Sequence, residues 1–289
     1  MKKRTGILMT MPAIALILFL FVYPLFFNFY YSFFFYNLYT SPEPIFIGIT
    51  NYVSVLNSSI FFNALRNTVF FTLASVTFEF MLGFILSLLL SKLRSNIIMG
   101  IISALCLLPW SMSEVVEGII GQFLFSPRVG VINAITRLLF NVEFPWLTDS
   151  SLALWSIIFV DTWKLTPFFV LIDLSAILSI PRDPMDAMNV DGASQLQQIR
   201  YLIIPYMLPV FAISTIIRGI DAFTRIFGIV YIMTGGGPGI ATDVIPLEIF
   251  NLGLRVFNWG MATTWGAITF LFSIILLIGY IYMNRRQWL

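Results

Sequence analysis

The sequence predicts an all-α membrane protein that crosses the bilayer several times, and its composition and the length of its apolar runs carry that prediction. Of the 289 residues, 59% are hydrophobic and 10% are charged, and the mean hydropathy is +0.92. A water-soluble domain of this composition would have too few polar residues to cover its surface. We therefore expect lipid to surround most of the chain, as a single transmembrane domain over residues 1–289.

Six apolar runs are long enough to cross a bilayer, which takes ~20 residues in a helix. Helices are expected because lipid offers no hydrogen-bond partner to exposed backbone groups. The first run is longer than the ~7–15 apolar residues of a signal sequence, so we interpret it as a retained helix. The predicted spans are residues 6–36, 65–91, 97–124, 151–180, 203–232 and 261–283.

The distribution of basic residues predicts the orientation, because Lys and Arg accumulate in cytoplasmic connections. With the amino terminus inside, nine basic residues lie in cytoplasmic segments and three in outer segments. We therefore expect both termini in the cytoplasm. The nine are Lys2, Lys3, Arg4, Lys92, Arg94, Arg182, Arg200, Arg285 and Arg286, and the three are Arg128, Arg137 and Arg255.

Composition also excludes several kinds of site. The chain contains no histidine, which removes His-based metal sites, Ser-His-Asp triads and Cys-His dyads. Its one cysteine, Cys106, lies in an apolar run and is interpreted as packing. The net charge of +2 is too small to indicate nucleic-acid binding. We expect no catalytic residues, no metal site and no nucleic-acid partner.

The connection between the fourth and fifth spans is unusually long and polar, at about 22 residues beginning at Pro181. Asp183 is a candidate N-cap and Pro184 suits the first turn of a helix, while Gly192 can adopt the positive φ that ends one. We predict a helix, a tight turn and a second helix over residues 181–205.

A glycine-rich loop at residues 234–239 does not have the features of a phosphate-binding loop. It reads Thr-Gly-Gly-Gly-Pro-Gly, without the following Lys-Ser/Thr or the preceding strand that such a loop requires. We interpret it as a flexible bend. Because no other ATP-binding signature is present, energy for any driven process would come from another polypeptide.

The 181–205 segment resembles the EAA motif of ABC importer permeases, with Asp186-Ala-Met-Asn-Val-Asp-Gly-Ala193 followed by Pro205. Two positions depart from the pattern: Asp186 replaces Glu, and Met188 replaces the second Ala. Further short motifs along nearly the whole chain resemble those of the binding-protein-dependent sugar permeases in order and spacing. They are Gly48–Tyr52, Asn67–Thr68, Pro109, Gly130–Asn133, Trp146–Leu147, Leu178–Pro181 and Thr234–Pro238.

The resemblance implies a type I ABC importer permease in the cytoplasmic membrane. It implies a second permease subunit, two ATP-binding subunits that carry ATP and Mg, and an extracytoplasmic sugar-binding protein. This chain would bind no cofactor, perform no catalysis, and pass a mono- or small oligosaccharide, possible substrates including glucose-type sugars, by alternating access.

The resemblance also implies that the 181–205 segment docks on an ATP-binding subunit and moves with it as a near-rigid unit. The alternative is a solvated loop with two capped helices. The expected coupling residues are Asp186, Ala187, Met188, Asp191, Gly192, Ala193 and Pro205.

Ionisable residues inside the predicted spans are candidates for a substrate pathway, because each needs a partner or water. At 100° per residue, Arg218, Asp221 and Arg225 share one helical face, so Asp221 can neutralise one or both arginines. The alternative is that the charges brace helices without touching substrate. The expected pathway residues are Glu114, Asp161, Lys164, Phe168, Arg218, Asp221 and Arg225; Glu79, Glu117 and Asp173 are further charged positions.

Two other functions stay open at this point. A proton-coupled secondary transporter or channel would use the intramembrane charges as a proton relay. An ABC permease for glycerol phosphate or amino acids would keep the architecture, with Arg218 and Arg225 holding an anion. We also expect Pro109 to break the third helix, so that Glu114 and Glu117 face a re-entrant cavity or an outer vestibule.

Overall fold

The computed structural model describes residues 2–93 and 95–284 and is mostly helical in them. Three stretches of wider π-helical turns lie at Leu18–Val22, Ile199–Ile203 and Asn251–Arg255. The strands are β1 Phe34–Asn37 and β2 Ser41–Phe46. The α-helices are α1 Lys2–Ile17, α2 Tyr23–Tyr31, α3 Thr50–Leu56, α4 Ser59–Leu90, α5 Asn96–Trp110, α6 Glu114–Leu124, α7 Val131–Phe140, α8 Ala153–Leu178, α9 Arg182–Val190, α10 Gln195–Gln198, α11 Ile204–Arg225, α12 Phe227–Met233, α13 Ile245–Phe250 and α14 Trp259–Asn284.

The helices include several that are long and apolar enough to cross a membrane. Among the described residues three qualify alone, and up to five qualify if each of two bent helix pairs counts as one span. The last helix adds a shorter apolar stretch, Trp259–Ile275. The chain is therefore a multi-pass membrane protein, while the count of six spans and the orientation of the termini stay predictions.

The chain divides into two compact units, of which the first contains residues 2–62 and 245–282. In this unit β1 and β2 form an antiparallel hairpin. The Asn51 side chain donates to the backbone carbonyls of Ser32 and Phe34, and Thr264 donates to Ser32 as well. The predicted first span, 6–36, was too long, because the helix ends at Tyr31 and its last residues form β1.

The second unit, mainly residues 63–244, contains close helix–helix contacts. A Cβ added at Gly83 of α4 would collide with Phe169 of α8, and one at Gly121 of α6 would collide with Met233 of α12. Small residues allow helix backbones to approach closely in membranes, where water supplies no driving force between helices. These contacts pack α4 against α8 and α6 against α12.

Two predicted spans of this unit are broken. α5 and α6 meet at 91°, with Pro109 in the last turn of α5, so the break expected at Pro109 is present. Ser113 caps α6 by accepting a hydrogen bond from the backbone N–H of Val116 at 3.3 Å. The predicted span 203–232 is likewise divided, since α11 ends at Arg225 and α12 begins at Phe227.

The 181–205 segment contains a helix, a turn and a second helix, with two differences from the prediction. Gly192 has φ +71°, and the N–H groups of Gly192 and Ala193 donate to the carbonyls of Asn189 and Met188, which closes α9 in a Schellman motif. Asp183 is not the N-cap, because Pro181 precedes the first helical residue. The second helix does not stop near Pro205.

That second helix is instead continuous with the next span. Ser194 begins it with a capping box, in which its hydroxyl accepts from the Gln197 N–H and the Gln197 side chain accepts from the Ser194 N–H. From Gln195 the helix runs to Arg225 over 31 residues. Pro205 is accommodated directly after the π-helical turn Ile199–Ile203, a local adjustment that membrane helices use at prolines.

Candidate functional site

A cavity of about 300 Å³ lies within the second unit, between α4, the α5–α6 break, α8, α11 and α12. We call it the polar cavity, because seven of the side chains that line it are ionisable. They are Glu114, Glu117, Asp161, Lys164, Arg218, Asp221 and Arg225.

Arg218 of α11 is the centre of the buried part of this site. Its Nε and Nη2 donate to both oxygens of Glu79 on α4, at 2.8 and 2.9 Å. Nη2 also donates to Asp161 Oδ2 on α8 at 2.7 Å, and Nη1 to Asp221 Oδ2 at 3.3 Å. Arg218 is only 3% exposed, and a guanidinium can serve a bidentate carboxylate and further acceptors at once. Three helices are therefore joined through one side chain.

The other end of the network is accessible. Asp221 Oδ1 accepts from Arg225 Nη1 at 3.2 Å, and Arg225 Nε donates to Glu114 Oε1 on α6 at 3.3 Å. The second Glu114 oxygen accepts from the backbone N–H of Gly228 on α12. The Arg225 side chain is 69% exposed, so the network runs from a buried end at Arg218 to an open end at Arg225.

Lys164 of α8 forms a separate buried pair. Its Nζ lies 2.6 Å from Glu117 Oε2 on α6, and both side chains are almost fully buried. The remaining oxygen, Glu117 Oε1, has no hydrogen-bond partner among the described residues. Asp161 and Lys164, three positions apart on α8, thus form their ion pairs with residues of other helices.

Aromatic side chains complete the cavity wall. The rings of Trp110 and Phe168 lie with centroids 6.1 Å apart, and both residues line the polar cavity together with Phe71. Trp163, which the sequence places close to Phe168, does not line it. The cavity therefore combines charged groups with flat apolar faces.

The structure brings all seven expected pathway residues to this one cavity: Glu114, Asp161, Lys164, Phe168, Arg218, Asp221 and Arg225. Glu79 and Glu117 were visible as charged residues in predicted spans, but their roles as partners of Arg218 and Lys164 were missed. Asp173 does not line the cavity; it is fully buried, and neither of its carboxyl oxygens has a hydrogen-bond partner among the described residues.

The expected coupling residues lie on a different surface. Asp186, Ala187, Asp191, Gly192 and Pro205 are exposed, whereas Met188 and Ala193 are half-buried. Two apolar side chains next to them, Val190 and Leu196, are 87% and 74% exposed. Gln198 holds the two helices of the segment together by donating to Asn189 Oδ1 at 2.8 Å.

A connection also joins this segment to the end of α4. Lys92 Nζ donates to Gln195 Oε1 at 2.7 Å. Met185 of α9 packs against the buried cluster of Ile177, Ile203 and Met207. The segment is therefore anchored on one side and exposed on the other.

Comparisons with known proteins agree with this architecture. Residues 79–288 match the family described as binding-protein-dependent transport system inner membrane component. The chain is 35% identical to the probable ABC transporter permease y4oQ of Sinorhizobium fredii, over 94% of this chain and 88% of that protein. It is 30% identical to the trehalose/maltose transport system permease MalF of Thermococcus litoralis, over 98% and 95% of the two chains.

A solved structure shares the fold. A chain of a bacterial ABC transporter involved in import of the acidic polysaccharide alginate superposes with a TM-score of 0.84 at 24% identity, covering 98% of this chain and 96% of that one. With the family match over most of the sequence, this fixes the class of protein. The chain belongs to the family of binding-protein-dependent transport system inner membrane components, as a sugar permease subunit of an ABC importer.

Proposed function

We propose that the chain forms one half of a two-permease pore and passes a mono- or small oligosaccharide, such as a glucose-type sugar, to the cytoplasm by alternating access. The observation that carries the proposal is the polar cavity, where charged and aromatic residues of several membrane helices meet. Ionisable side chains are costly inside a bilayer, and those that face an internal cavity mark pathways for polar solutes.

The lining suits a hydroxyl-rich ligand. The carboxylates of Glu114, Asp161 and Asp221 can accept hydrogen bonds from hydroxyl groups, and Phe168 and Trp110 offer flat faces to the C–H side of a sugar ring. The volume of about 300 Å³ is at the small end of ligand pockets, which run ~300–1,000 Å³. The trehalose/maltose cargo in the name of the MalF relative is of the same chemical class.

The proposed assembly contains a second permease, two ATP-binding subunits holding ATP and Mg, and an extracytoplasmic sugar-binding protein. We place the ATP-binding subunit against the exposed side of the 181–205 segment. Asp186 and Asp191 can pair with basic groups there, and the exposed Val190 and Leu196 supply apolar contact. In this arrangement Met188 contributes less than the motif suggests, because it is half-buried within the chain.

The pathway is tested by substrate-stimulated ATP hydrolysis in the complex reconstituted with its binding protein. Phe168→Ala removes a cavity face, and we expect the sugar concentration for half-maximal stimulation to rise roughly 2–10-fold, in line with the strength of aromatic contacts. Phe123→Ala is the matched control, since Phe123 is exposed and does not line the cavity. Equal responses of the two variants would contradict the proposal.

Arg218→Ala is unsuitable for this test, because it would leave Glu79 and Asp161 buried without their partner. Arg225→Gln changes the open end of the network and is the better charge variant. The competing secondary transporter is tested with the purified chain alone in liposomes. Sugar uptake driven by a proton gradient in that preparation would overturn the importer mechanism.

A further inference from the structure

We propose that the polar cavity selects uncharged, hydroxyl-rich sugars over anionic ones, and that Asp221 is the residue that determines this selectivity. This inference rests on the proposed function, since it names the charge class of the substrate for the same cavity. Its basis is that each basic side chain lining the cavity is already paired with carboxylates.

Arg218 has almost no capacity left for an anion. A guanidinium carries five N–H donors, and the hydrogen bonds of Arg218 use one on Nε, two on Nη2 and one on Nη1. The residue is also nearly inaccessible, so a carboxylate or phosphate of a ligand could reach it only by displacing Glu79, Asp161 or Asp221.

Lys164 is held in the same way. Its ammonium group lies 2.6 Å from Glu117 Oε2, and the pair is buried. Removing the lysine from this partner would leave the Glu117 carboxylate buried without a counter-ion, which is costly. The other oxygen, Glu117 Oε1, has no hydrogen-bond partner among the described residues, so the lysine is the one counter-charge that the structure shows for this carboxylate there.

Arg225 is the exposed cation, and it is flanked by two carboxylates. Glu114 and Asp221 lie 3.3 and 3.2 Å from its guanidinium. An anion approaching Arg225 would therefore meet like charges within a few ångströms, whereas a neutral hydroxyl can accept from the remaining N–H groups. Four acidic and three basic side chains line the cavity, a formal excess of one negative charge.

Asp221 has a special position in this arrangement. Its two oxygens contact different arginines, Oδ2 facing Arg218 and Oδ1 facing Arg225. Asp221→Asn keeps the size of the side chain, removes one negative charge, and turns a donor toward one of the arginines. The guanidinium of Arg225 should then become available to an anion.

The charge of the cavity can be measured without knowing the natural cargo. In the assembled importer, Cys106→Ser removes the native thiol and Met112→Cys places a new one in the cavity lining. Rates of modification are compared for an anionic and a cationic methanethiosulfonate reagent. We expect the anionic reagent to react more slowly, and the anionic-to-cationic rate ratio to rise about five-fold in Asp221→Asn, because losing one charge affects the two reagents oppositely.

The matched control is Glu143→Gln. Glu143 forms an exposed ion pair with Arg137, outside the cavity, so the change in net charge is the same. Its rate ratio should stay at the parent value. Ile217→Cys, at a second lining position, repeats the measurement if Met112→Cys assembles poorly. A parent cavity that favours the anionic reagent, or a ratio unaffected by Asp221→Asn, would overturn the proposal.

Whether the cavity distinguishes sugars by their charge is tested with glucose and glucuronate, which differ by one carboxylate. Each sugar is added to see whether it protects the same thiol from modification. We expect glucose to slow modification in the parent protein, and glucuronate to do so only in Asp221→Asn. Equal protection of the parent by both sugars would contradict the selectivity. If the reagent ratios follow expectation and neither sugar protects, the charge of the cavity stands and glucose as the cargo is wrong.

Discussion

Charged residues are mostly buried and paired in the polar cavity, whereas they are exposed in the 181–205 segment. In the cavity, Arg218 and Lys164 are buried and paired with carboxylates of the same chain. In the segment, Asp186 and Asp191 are exposed beside exposed apolar side chains. The charged groups of the cavity are thus paired within one subunit, whereas those of the segment are free to contact the ATP-binding subunit that we propose docks there.

The largest effect expected from this comparison is on stability at the buried end of the network. Glu79→Gln removes the bidentate partner of Arg218 while keeping its shape. Breaking a buried ion pair by removing one partner typically costs ~3–5 kcal/mol. We expect a large loss of assembled protein and of thermal stability, measured by the temperature at which the detergent-solubilised complex aggregates.

The exposed pair Arg137–Glu143 provides the control for that measurement. Both side chains are about half exposed, and such pairs contribute ~0–1 kcal/mol. Glu143→Gln should therefore leave the aggregation temperature nearly unchanged. Similar losses in both variants would mean that the buried network does not brace the helices.

A smaller effect on stability, but a large one on coupling, is expected at Gly192. Its φ of +71° lies in the left-handed region, and no atom lies within 4 Å of an added Cβ. Gly192→Ala therefore introduces backbone strain of ~1–2 kcal/mol with little added bulk, whereas Gly192→Asn adds bulk with less strain because Asn tolerates this conformation better.

The ratio of sugar transported to ATP hydrolysed shows whether coupling depends on the conformation of the turn or on close packing of a partner subunit against Gly192. If the turn conformation is what matters, the alanine variant should be the poorer one. If a partner subunit packs closely on Gly192, the asparagine variant should be the poorer one. Full coupling in both variants would contradict docking at this turn.

The smallest expected effect concerns Asp149, which lies before α8 and outside the membrane helices. Hydrogen bonds from the hydroxyl and backbone N–H of Ser151 lower the pKa of its carboxyl. A carboxyl group whose pKa is lower in the folded than in the unfolded state stabilises the fold at pH values above its unfolded pKa of ~3.9. This stabilisation is lost as the pH falls through the folded-state pKa. Asp149→Ala should therefore lower the melting temperature slightly at pH 7 and less at pH 3; a larger difference at pH 3 would contradict this sign.

Local features of the site could be predicted from the sequence because they depend on spacing within one helix. The pairing of Asp221 with both arginines follows from 100° per residue, and the turn at Gly192 follows from glycine's access to positive φ. The pairing of Arg218 with Glu79 could not be predicted in this way, since 139 positions separate them and only helix packing brings them together.

Helix boundaries were harder to predict for physical reasons. Residues 33–36 are all aromatic, a composition that suits both a span and a strand, and hydrogen bonds from Asn51 and Thr264 favour the turn into β1. Pro205 was expected to end the loop, but the π-helical turn before it allows the helix to continue. Helix α7 was missed because its ten residues are too few to cross a membrane.

The continuity of the helix from Gln195 to Arg225 has a geometric consequence. At ~1.5 Å per residue its 31 residues form a helix ~46 Å long. Gln195 begins this helix, and Arg218, Asp221 and Arg225 lie toward its other end. If the π-helical turn is stiff, a tilt of about 5° about Gln195 shifts the far end by ~4 Å, more than the 3.3 Å between Arg225 Nε and Glu114 Oε1 on α6. Such a tilt would separate Arg225 from Glu114, whereas the pairs of Asp221 with the two arginines lie on one helix and would stay intact.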